Sequence, residues 1–192
     1  MDIKEILIIS VQSMWLMLPL FISNPSAVFT GNKRPIDFGK KLSDGTRILG
    51  DGKSWGGLVG GTLIGMVAGL AMAFVMRSTD AGIHWQFGAS QGEILKNVFL
   101  ISFGALFGDS AASFIKRRLK FKRGEAVPGL DQFDMIAGVW LLLLIFSWGW
   151  FTDTFIRDGR WVGLIAVLIL TPVLHRVANI IGYKIGVKEV PW

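Results

Sequence analysis

The acidic and basic residues near position 110 are the first candidates for chemistry. Asp109 falls within an apolar stretch that continues through Phe114 to a basic end. On a helix, the spacing predicts one face shared by four side chains: Asp109, Ser113, Lys116 and Arg117. An acid inside a hydrophobic segment is energetically costly and marks a functional site by default. One alternative is a structural ion pair between Asp109 and a basic neighbour. Another is that Lys116 and Arg117 only anchor the helix end at the lipid headgroups.

A second acidic pair follows a short basic segment. Pro128-Gly129 precedes Asp131 and Asp134, which are three residues apart at the expected start of a helix and therefore on one face. Either acid alone would be explained as a helix-start residue favoured by the helix dipole. Together with Asp109 they predict a Mg²⁺ site, because carboxylate oxygens, phosphates and water are the ligands that Mg²⁺ prefers.

The segment from Asn24 to Trp55 is rich in glycine and in basic residues. Backbone amides and cations in such a segment can surround phosphate groups. It lacks the strand and helix context of a Walker A loop, and a basic surface loop on anionic headgroups is an equal alternative. The candidate phosphate-binding residues are Lys40, Arg47, Lys53, Ser54, Lys116 and Arg117.

The elements that must position these residues are membrane helices. The chain has 192 residues, of which 52% are hydrophobic and only 18% charged, a composition that favours a single membrane domain over residues 1–192. Because cysteine is absent, disulfides and thiol chemistry are excluded. Apolar segments of about 20 residues predict an all-α protein with five transmembrane helices. Their predicted ranges are 5–23, 57–76, 94–115, 133–152 and 161–185.

The basic residues predict an orientation. With five spans, segments 24–56 and 116–132 and the C-terminal part share one side, and they carry most of the 20 Lys and Arg residues, among them Arg123, Arg176 and Lys188. The positive-inside rule places these segments in the cytoplasm and the N-terminus outside. Clustering of the charge between apolar spans argues against a nucleic-acid partner. We expect no cleavable signal peptide, since the first span follows a mixed-charge start.

The second span carries a repeated G-x-x-x-G pattern at Gly57, Gly61, Gly65 and Gly69. Small residues at this spacing let another helix approach closely. We expect this face to pack inside the bundle, with a homodimer contact as the less favoured alternative.

The combined motifs resemble the phosphatidate cytidylyltransferase family. The pattern G-D-x-x-x-S-x-x-K-R begins at Gly108, and P-G and D-x-x-D follow at Pro128 and Asp131. The family's usual P-G-H-G-G and D-R-x-D are absent. The shorter form is similar to its archaeal branch, the CDP-archaeol synthases, through P-I-D-F-G-K at 35–40, D-G-x-R-x-L-G-x-x-K-S at 44–54 and D-Q-x-D at 131–134.

The resemblance implies an enzyme of a lipid bilayer that uses CTP, Mg²⁺ and a diether glycerol phosphate lipid, 2,3-bis-O-geranylgeranylglycerol 1-phosphate, to form CDP-archaeol and pyrophosphate. The implied catalytic residues are Asp109, Asp131, Asp134 and Lys116. Two alternatives stay open: an enzyme for ester-linked phosphatidate and an ion-coupled transporter using Asp109. A CDP-alcohol phosphotransferase is not favoured, because the spacing of Asp131 and Asp134 does not fit that family. His175 and Arg176 are left without an assigned role.

Overall fold

The computed structural model describes residues 1–79, 82–122 and 125–186, and every regular element within them is helical. Arg123 and Lys188, which entered the orientation argument, lie outside the described residues, as does the side chain of His175. The helices are α1 Ile3–Thr30, α2 Trp55–Ser78, α3 Gln91–Arg118, α4 Leu130–Phe146, α5 Trp148–Phe155 and α6 Trp161–Lys184.

Four helices, α1, α2, α3 and α6, are long and apolar enough to cross a membrane, and α4 with α5 forms a bent pair that can supply a fifth span. The predicted all-α, polytopic membrane architecture is therefore confirmed. The predicted fourth span, 133–152, is not one straight helix, because α5 turns from α4 by 120° after Ser147. Alone, the 17 residues of α4 extend about 25 Å.

A buried polar chain holds the bend between α4 and α5. The Ser147 hydroxyl donates to the Asn97 side-chain oxygen at 2.6 Å, and the Asn97 amide donates to the Phe87 carbonyl at 2.7 Å. Ser147 and Asn97 are both buried. Buried polar groups require such partners, so these bonds fix the break at Ser147 against α3.

Both long basic segments are shorter than predicted. Helix α1 continues to Thr30, so Asn24 and Pro25 are helical and do not belong to the loop. Helix α3 extends to Arg118 and α4 begins at Leu130. The segments that remain at this end are residues 31–54 and 119–129.

Contacts at the two ends of the bundle show how the spans alternate. At one end, Arg160 before α6 donates to Gln12 of α1 at 2.8 Å, and Gly159 lies beside Met1. At the other end, Arg118 at the end of α3 donates to Asp44 of the 31–54 segment at 3.0 Å. Segments 31–54 and 119–129 therefore lie at the same end, as the five-span prediction requires.

The G-x-x-x-G face of α2 packs inside the chain, as predicted. All four glycines, Gly57, Gly61, Gly65 and Gly69, are buried. A Cβ at Gly61 would lie 2.8 Å from the Ser23 carbonyl of α1, and one at Gly69 would lie 2.6 Å from Val98 of α3. This face is occupied by α1 and α3, so it is not free for a second copy of the chain.

Candidate active site

The 31–54 segment is organised around the carboxylate of Asp37, whose side chain is fully buried. It accepts hydrogen bonds from the backbone amides of Gly39 at 3.0 Å and of Leu49 and Gly50 at 2.9 Å each. It also accepts from the Arg47 guanidinium at 2.7 and 3.2 Å. The Arg47 guanidinium holds the pKa of Asp37 well below its usual range, with the backbone amides acting in the same direction.

This Asp37 cluster places the turn from Gly50 to Lys53 over the ends of α3 and α4. Gly50 has φ +98°, a left-handed conformation that glycine adopts without strain. Arg47 pairs with Asp51 as well, at 2.8 Å, so its guanidinium is engaged on both sides. Arg118 of α3 donates to the Arg47 carbonyl at 2.6 Å and ties the segment to the bundle.

Two lysine–aspartate pairs lie beneath this turn. Lys53 forms an ion pair and hydrogen bond with Asp109 of α3. Lys116, one-tenth exposed, donates to both oxygens of Asp131 at 2.9 and 3.0 Å and to the Glu125 carbonyl at 2.5 Å. The Val127 amide donates to Asp131 at 2.8 Å. The predicted acids and cations thus meet in space, although they come from three separate parts of the chain: the 31–54 segment, α3 and α4.

A close crossing of α3 and α4 brings Asp134 beside Asp109. A Cβ at Gly108 would lie 2.0 Å from the Asp134 carbonyl, and a Cβ at Gly138 would lie 2.3 Å from the Gly104 carbonyl. Only glycine permits this backbone approach. Asp134 accepts from the Met135 amide at 2.6 Å and makes no ion pair within the described residues. Its carboxylate is therefore the acid with room for another ligand.

Two cavities meet at this cluster. The larger, about 1010 Å³, runs between α1 and α6 and has mainly apolar walls, among them Leu18, Phe21 and Ile181. The smaller, about 330 Å³, lies against the Arg47–Lys53 turn and has polar walls, including Ser113 and Arg117. Seven residues line both cavities: Asp51, Gly52, Lys53, Asp109, Lys116, Asp131 and Asp134.

The structure sorts the predicted phosphate-binding residues. Lys53, Lys116, Arg117 and Arg47 line the smaller cavity, although Arg47 is engaged by Asp37 and Asp51. Ser54 instead caps α2, accepting from the Gly57 amide at 3.1 Å. Lys40 is exposed and lines neither cavity. The residues that sequence reasoning missed are Asp37 and Asp51, which position Arg47; the charge pattern of the segment was their only signal.

The predicted Mg²⁺ site can be tested against these contacts. Within residues 1–79, 82–122 and 125–186, no three His, Asp or Glu side chains are close enough to surround one cation. Mg²⁺ commonly uses only one or two carboxylates and completes its shell with substrate phosphates and water. Asp109, Asp131 and Asp134 line one common cavity with oxygen donors of the required kind, so they fit that mode of binding.

Comparison with known proteins places the chain among lipid enzymes. Residues 5–192 match a family model described as CarS-like, CDP-archaeol synthase. The chain belongs to the CDP-archaeol synthase family. The CDP-archaeol synthase of Picrophilus torridus is 42% identical over 186 residues, covering 97% of this chain and 98% of that protein. That of Methanosphaerula palustris is 45% identical over 177 residues, covering 92% and 100%.

A solved structure supports the same placement. It belongs to an intramembrane enzyme of archaeal membrane lipid biosynthesis, is 33% identical, and has a TM-score of 0.68 over 89% of this chain and 94% of its own. As a member of the CDP-archaeol synthase family, the chain is a CTP-dependent nucleotidyltransferase of lipid biosynthesis embedded in a membrane. The transporter alternative is thereby set aside.

Replacing Asp37 by Asn should raise the KM for CTP about tenfold. The substitution removes a charge-assisted hydrogen bond from Arg47, and the turn that carries Lys53 loosens as a result. Since the pKa of Asp37 is lowered in the folded protein, the cluster should persist throughout the neutral range and fail only as the pH falls through that lowered pKa. Steady-state kinetics at roughly neutral pH, between about pH 6 and about pH 8, test both the rise in KM and its independence of pH. The control is Asp153→Asn, an exposed carboxylate of α5 that is paired with Arg157 far from this segment; equal effects of the two variants would refute a special role for Asp37.

Replacing Gly138 by Ala should lower kcat about a hundredfold, because the added Cβ pushes α4 from α3 and displaces Asp134 from Asp109 by an ångström or so. The matched control is Gly92→Ala on α3, where nothing lies within 4 Å of the added atom. Turnover of both variants in detergent, beside their thermal unfolding midpoints, gives the comparison. Full activity of a folded Gly138→Ala protein would show that the close crossing does not position the acids.

Proposed function

We propose that the chain transfers a cytidylyl group from CTP to the phosphate of 2,3-bis-O-geranylgeranylglycerol 1-phosphate, giving CDP-archaeol and pyrophosphate. The observation that carries this proposal is the junction of an apolar and a polar cavity at the two lysine–aspartate pairs. A lipid phosphate and a nucleotide approach such a junction from different media. The reaction requires that these two phosphates meet.

The apolar cavity suits the lipid. Its apolar walls come mainly from the C-terminal halves of α1 and α6, and the 31–54 segment, α3 and α4 supply most of the charged residues that line it. Prenyl chains in this cavity leave the phosphate at the end lined by Lys53 and Asp134. The smaller cavity suits the triphosphate, since Lys53, Lys116 and Arg117 converge there and the Nε of Arg117 has no partner within the described residues.

The reaction needs positioning and charge neutralisation more than a covalent nucleophile. An oxygen of the lipid phosphate attacks the α-phosphorus of CTP, the bond to the bridging oxygen breaks, and pyrophosphate leaves with that electron pair. The acceptor is anionic at neutral pH, so no strong general base is required. Lys53 and Lys116, now paired with aspartates, exchange those partners for phosphate oxygens when CTP binds.

Asp109, Asp131 and Asp134 are the proposed ligands of one or two Mg²⁺ ions, with one or two of these carboxylates on each ion. When bound, Mg²⁺ neutralises charge on the attacking and leaving oxygens. Exchange of Lys53 and Lys116 from carboxylates to phosphates frees Asp109 and Asp131 for this role, and Asp134 is already without an ion pair within the described residues. The proposal thus uses five of the six charged residues that line both cavities, and the sixth, Asp51, is paired with Arg47.

We further place this junction on the cytoplasmic side of the cell membrane and the N-terminus outside. The support is charge: residues 31–54 and 116–122 lie at one end of the bundle and carry 11 of the chain's 20 Lys and Arg residues. Positive residues remain on the cytoplasmic side during insertion. CTP is also available there.

The direct test incubates purified protein with Mg²⁺, the diether phosphate and CTP labelled at the α-phosphate. We expect label in the organic phase, with unlabelled pyrophosphate released. Ester-linked phosphatidate, offered in competition, should be used less efficiently. No lipid-linked label from either acceptor would refute cytidylyl transfer, and a preference for phosphatidate would refute the assigned lipid.

A further inference from the structure

The proposed reaction leaves Arg176 on α6 without a role. Arg176 lies roughly two helical turns, about 12 Å, before Lys184 at the end of α6. Asp109 lies about 13 Å before the end of α3 at Arg118, at the same end of the bundle. Arg176 is therefore about as far from the end of α6 as Asp109 is from the end of α3.

An arginine at this depth requires an explanation. The rest of α6 from Trp161 to Ile181 is almost wholly apolar apart from His175 and Asn179. Ionisable residues within a span are costly and by default face a cavity, a partner or a pathway. Arg176 has no hydrogen bond or ion pair within the part of the chain that the structure describes.

Arg176 is exposed, and it is one of the residues that line the larger cavity. Of the Lys and Arg side chains lining this cavity in the described residues, Lys53 and Lys116 are already paired with aspartates, and Arg176 is not. Asn179, one turn further along α6, lines the same cavity and is buried. The cavity thus has hydrocarbon walls, two lysine–aspartate pairs from the 31–54 segment, α3 and α4, and a cation on α6 that is unpaired within the described residues.

We propose that Arg176 binds the phosphomonoester of the lipid substrate and presents it to the α-phosphate of CTP. This inference rests on the proposed function and adds the acceptor's binding residue. Arginine suits the task because its planar fork donates two parallel hydrogen bonds to phosphate oxygens. The prenyl chains occupy the apolar walls between α1 and α6 while Arg176 fixes the end that reacts.

The test measures binding of a diether glycerol phosphate to purified protein in detergent without CTP, and separately CTP binding. Arg176→Gln should weaken binding of the diether phosphate about tenfold to a hundredfold, since charged hydrogen bonds are lost, and should leave CTP affinity within about twofold. Arg176→Lys should recover part of the loss, because it keeps the charge without the fork. Lys184→Gln, on the exposed end of α6, is the control and should bind like the wild type.

Two further probes separate substrate recognition from attraction to any anionic headgroup. The diether alcohol should bind equally to wild type and Arg176→Gln, and a diether phosphodiester should lose much less affinity than the phosphomonoester. Equal losses for monoester and diester, unchanged monoester binding, or a parallel loss of CTP affinity would each overturn the role of Arg176. If Arg176→Gln does not fold, Arg176→Lys carries the test: monoester binding equal to wild type would overturn it.

The binding test of Arg176 and the test of cytidylyl transfer can fail independently of each other. Wild-type protein that binds the phosphomonoester through Arg176 but transfers no label from CTP would refute the proposed function and retain this inference. If the wild-type protein transfers label and Arg176→Gln binds the phosphomonoester and reacts normally, the proposed function is retained and the role of Arg176 is refuted.

Discussion

Replacing Asp134 by Asn is expected to abolish cytidylyl transfer, with a loss of at least about a hundredfold in kcat, as when one preorganised electrostatic group is removed from an active site. Asp134 is the sharpest choice among the three acids because it makes no ion pair within the described residues. Its substitution leaves Lys53–Asp109 and Lys116–Asp131 in place. The measurement is transfer of α-labelled CTP into lipid at saturating substrates.

The control for this prediction is Asp153→Asn. Asp153 is an exposed aspartate of α5 at the opposite end of the bundle, paired only with Arg157. It should retain wild-type turnover. Asp131→Asn should also lose activity, but its thermal midpoint should fall too, because Lys116 and the Val127 amide lose a charged partner. Retained activity in both Asp131→Asn and Asp134→Asn would remove the proposed metal site.

Replacing Lys53 by Gln is the second variant with a large expected effect. Lys53 pairs with Asp109 in the free protein and lines both cavities, so its loss removes a cation from the transferring phosphates. We expect kcat/KM for CTP to fall about a hundredfold or more. Lys33→Gln, an exposed lysine of the same segment that lines neither cavity, should have little effect.

A double variant tests whether Lys53 and Asp109 act together. Groups in one ion pair give non-additive effects, so Lys53→Gln with Asp109→Asn should be little worse than either single variant. Strict multiplication of the two single effects would show that the pair seen in the structure has no part in the mechanism. Single-turnover rates at saturating CTP separate the chemical step from nucleotide binding.

The helices were predictable from the sequence where a single physical constraint, the need to cross a membrane, determined them. A segment that crosses a membrane must be long and apolar, so the spans were predictable to within a few residues at α2, α3 and α6. The end of α1 was not, because Asn24 and Pro25 are typical of a loop, yet the helix continues to Thr30. The bend at Ser147 was also missed, since its cause is a buried contact with Asn97, fifty residues away.

The sequence predicted which residues belong to the candidate site, but it did not predict which of them contact each other. Asp109 stood out because an acid within a span is costly, and Asp131 and Asp134 because they share a helix face. Which lysine pairs with which acid depends on how the 31–54 segment, α3 and α4 meet in space, and the periodicity of the sequence carries no information on that. Arg47 shows the limit: its charge suggested phosphate, whereas Asp37, ten residues earlier, engages it.

Diffraction from crystals grown with CTP, and with Mn²⁺ in place of Mg²⁺, tests most directly whether the acids at the junction of the two cavities bind a cation together with the nucleotide. The structure predicts an anomalous peak within about 2.5 Å of carboxylate oxygens from Asp109, Asp131 or Asp134 and of the CTP phosphates, with the triphosphate in the smaller cavity. A peak away from these acids, or nucleotide bound at the end of the bundle where Arg160 meets Gln12, would contradict it.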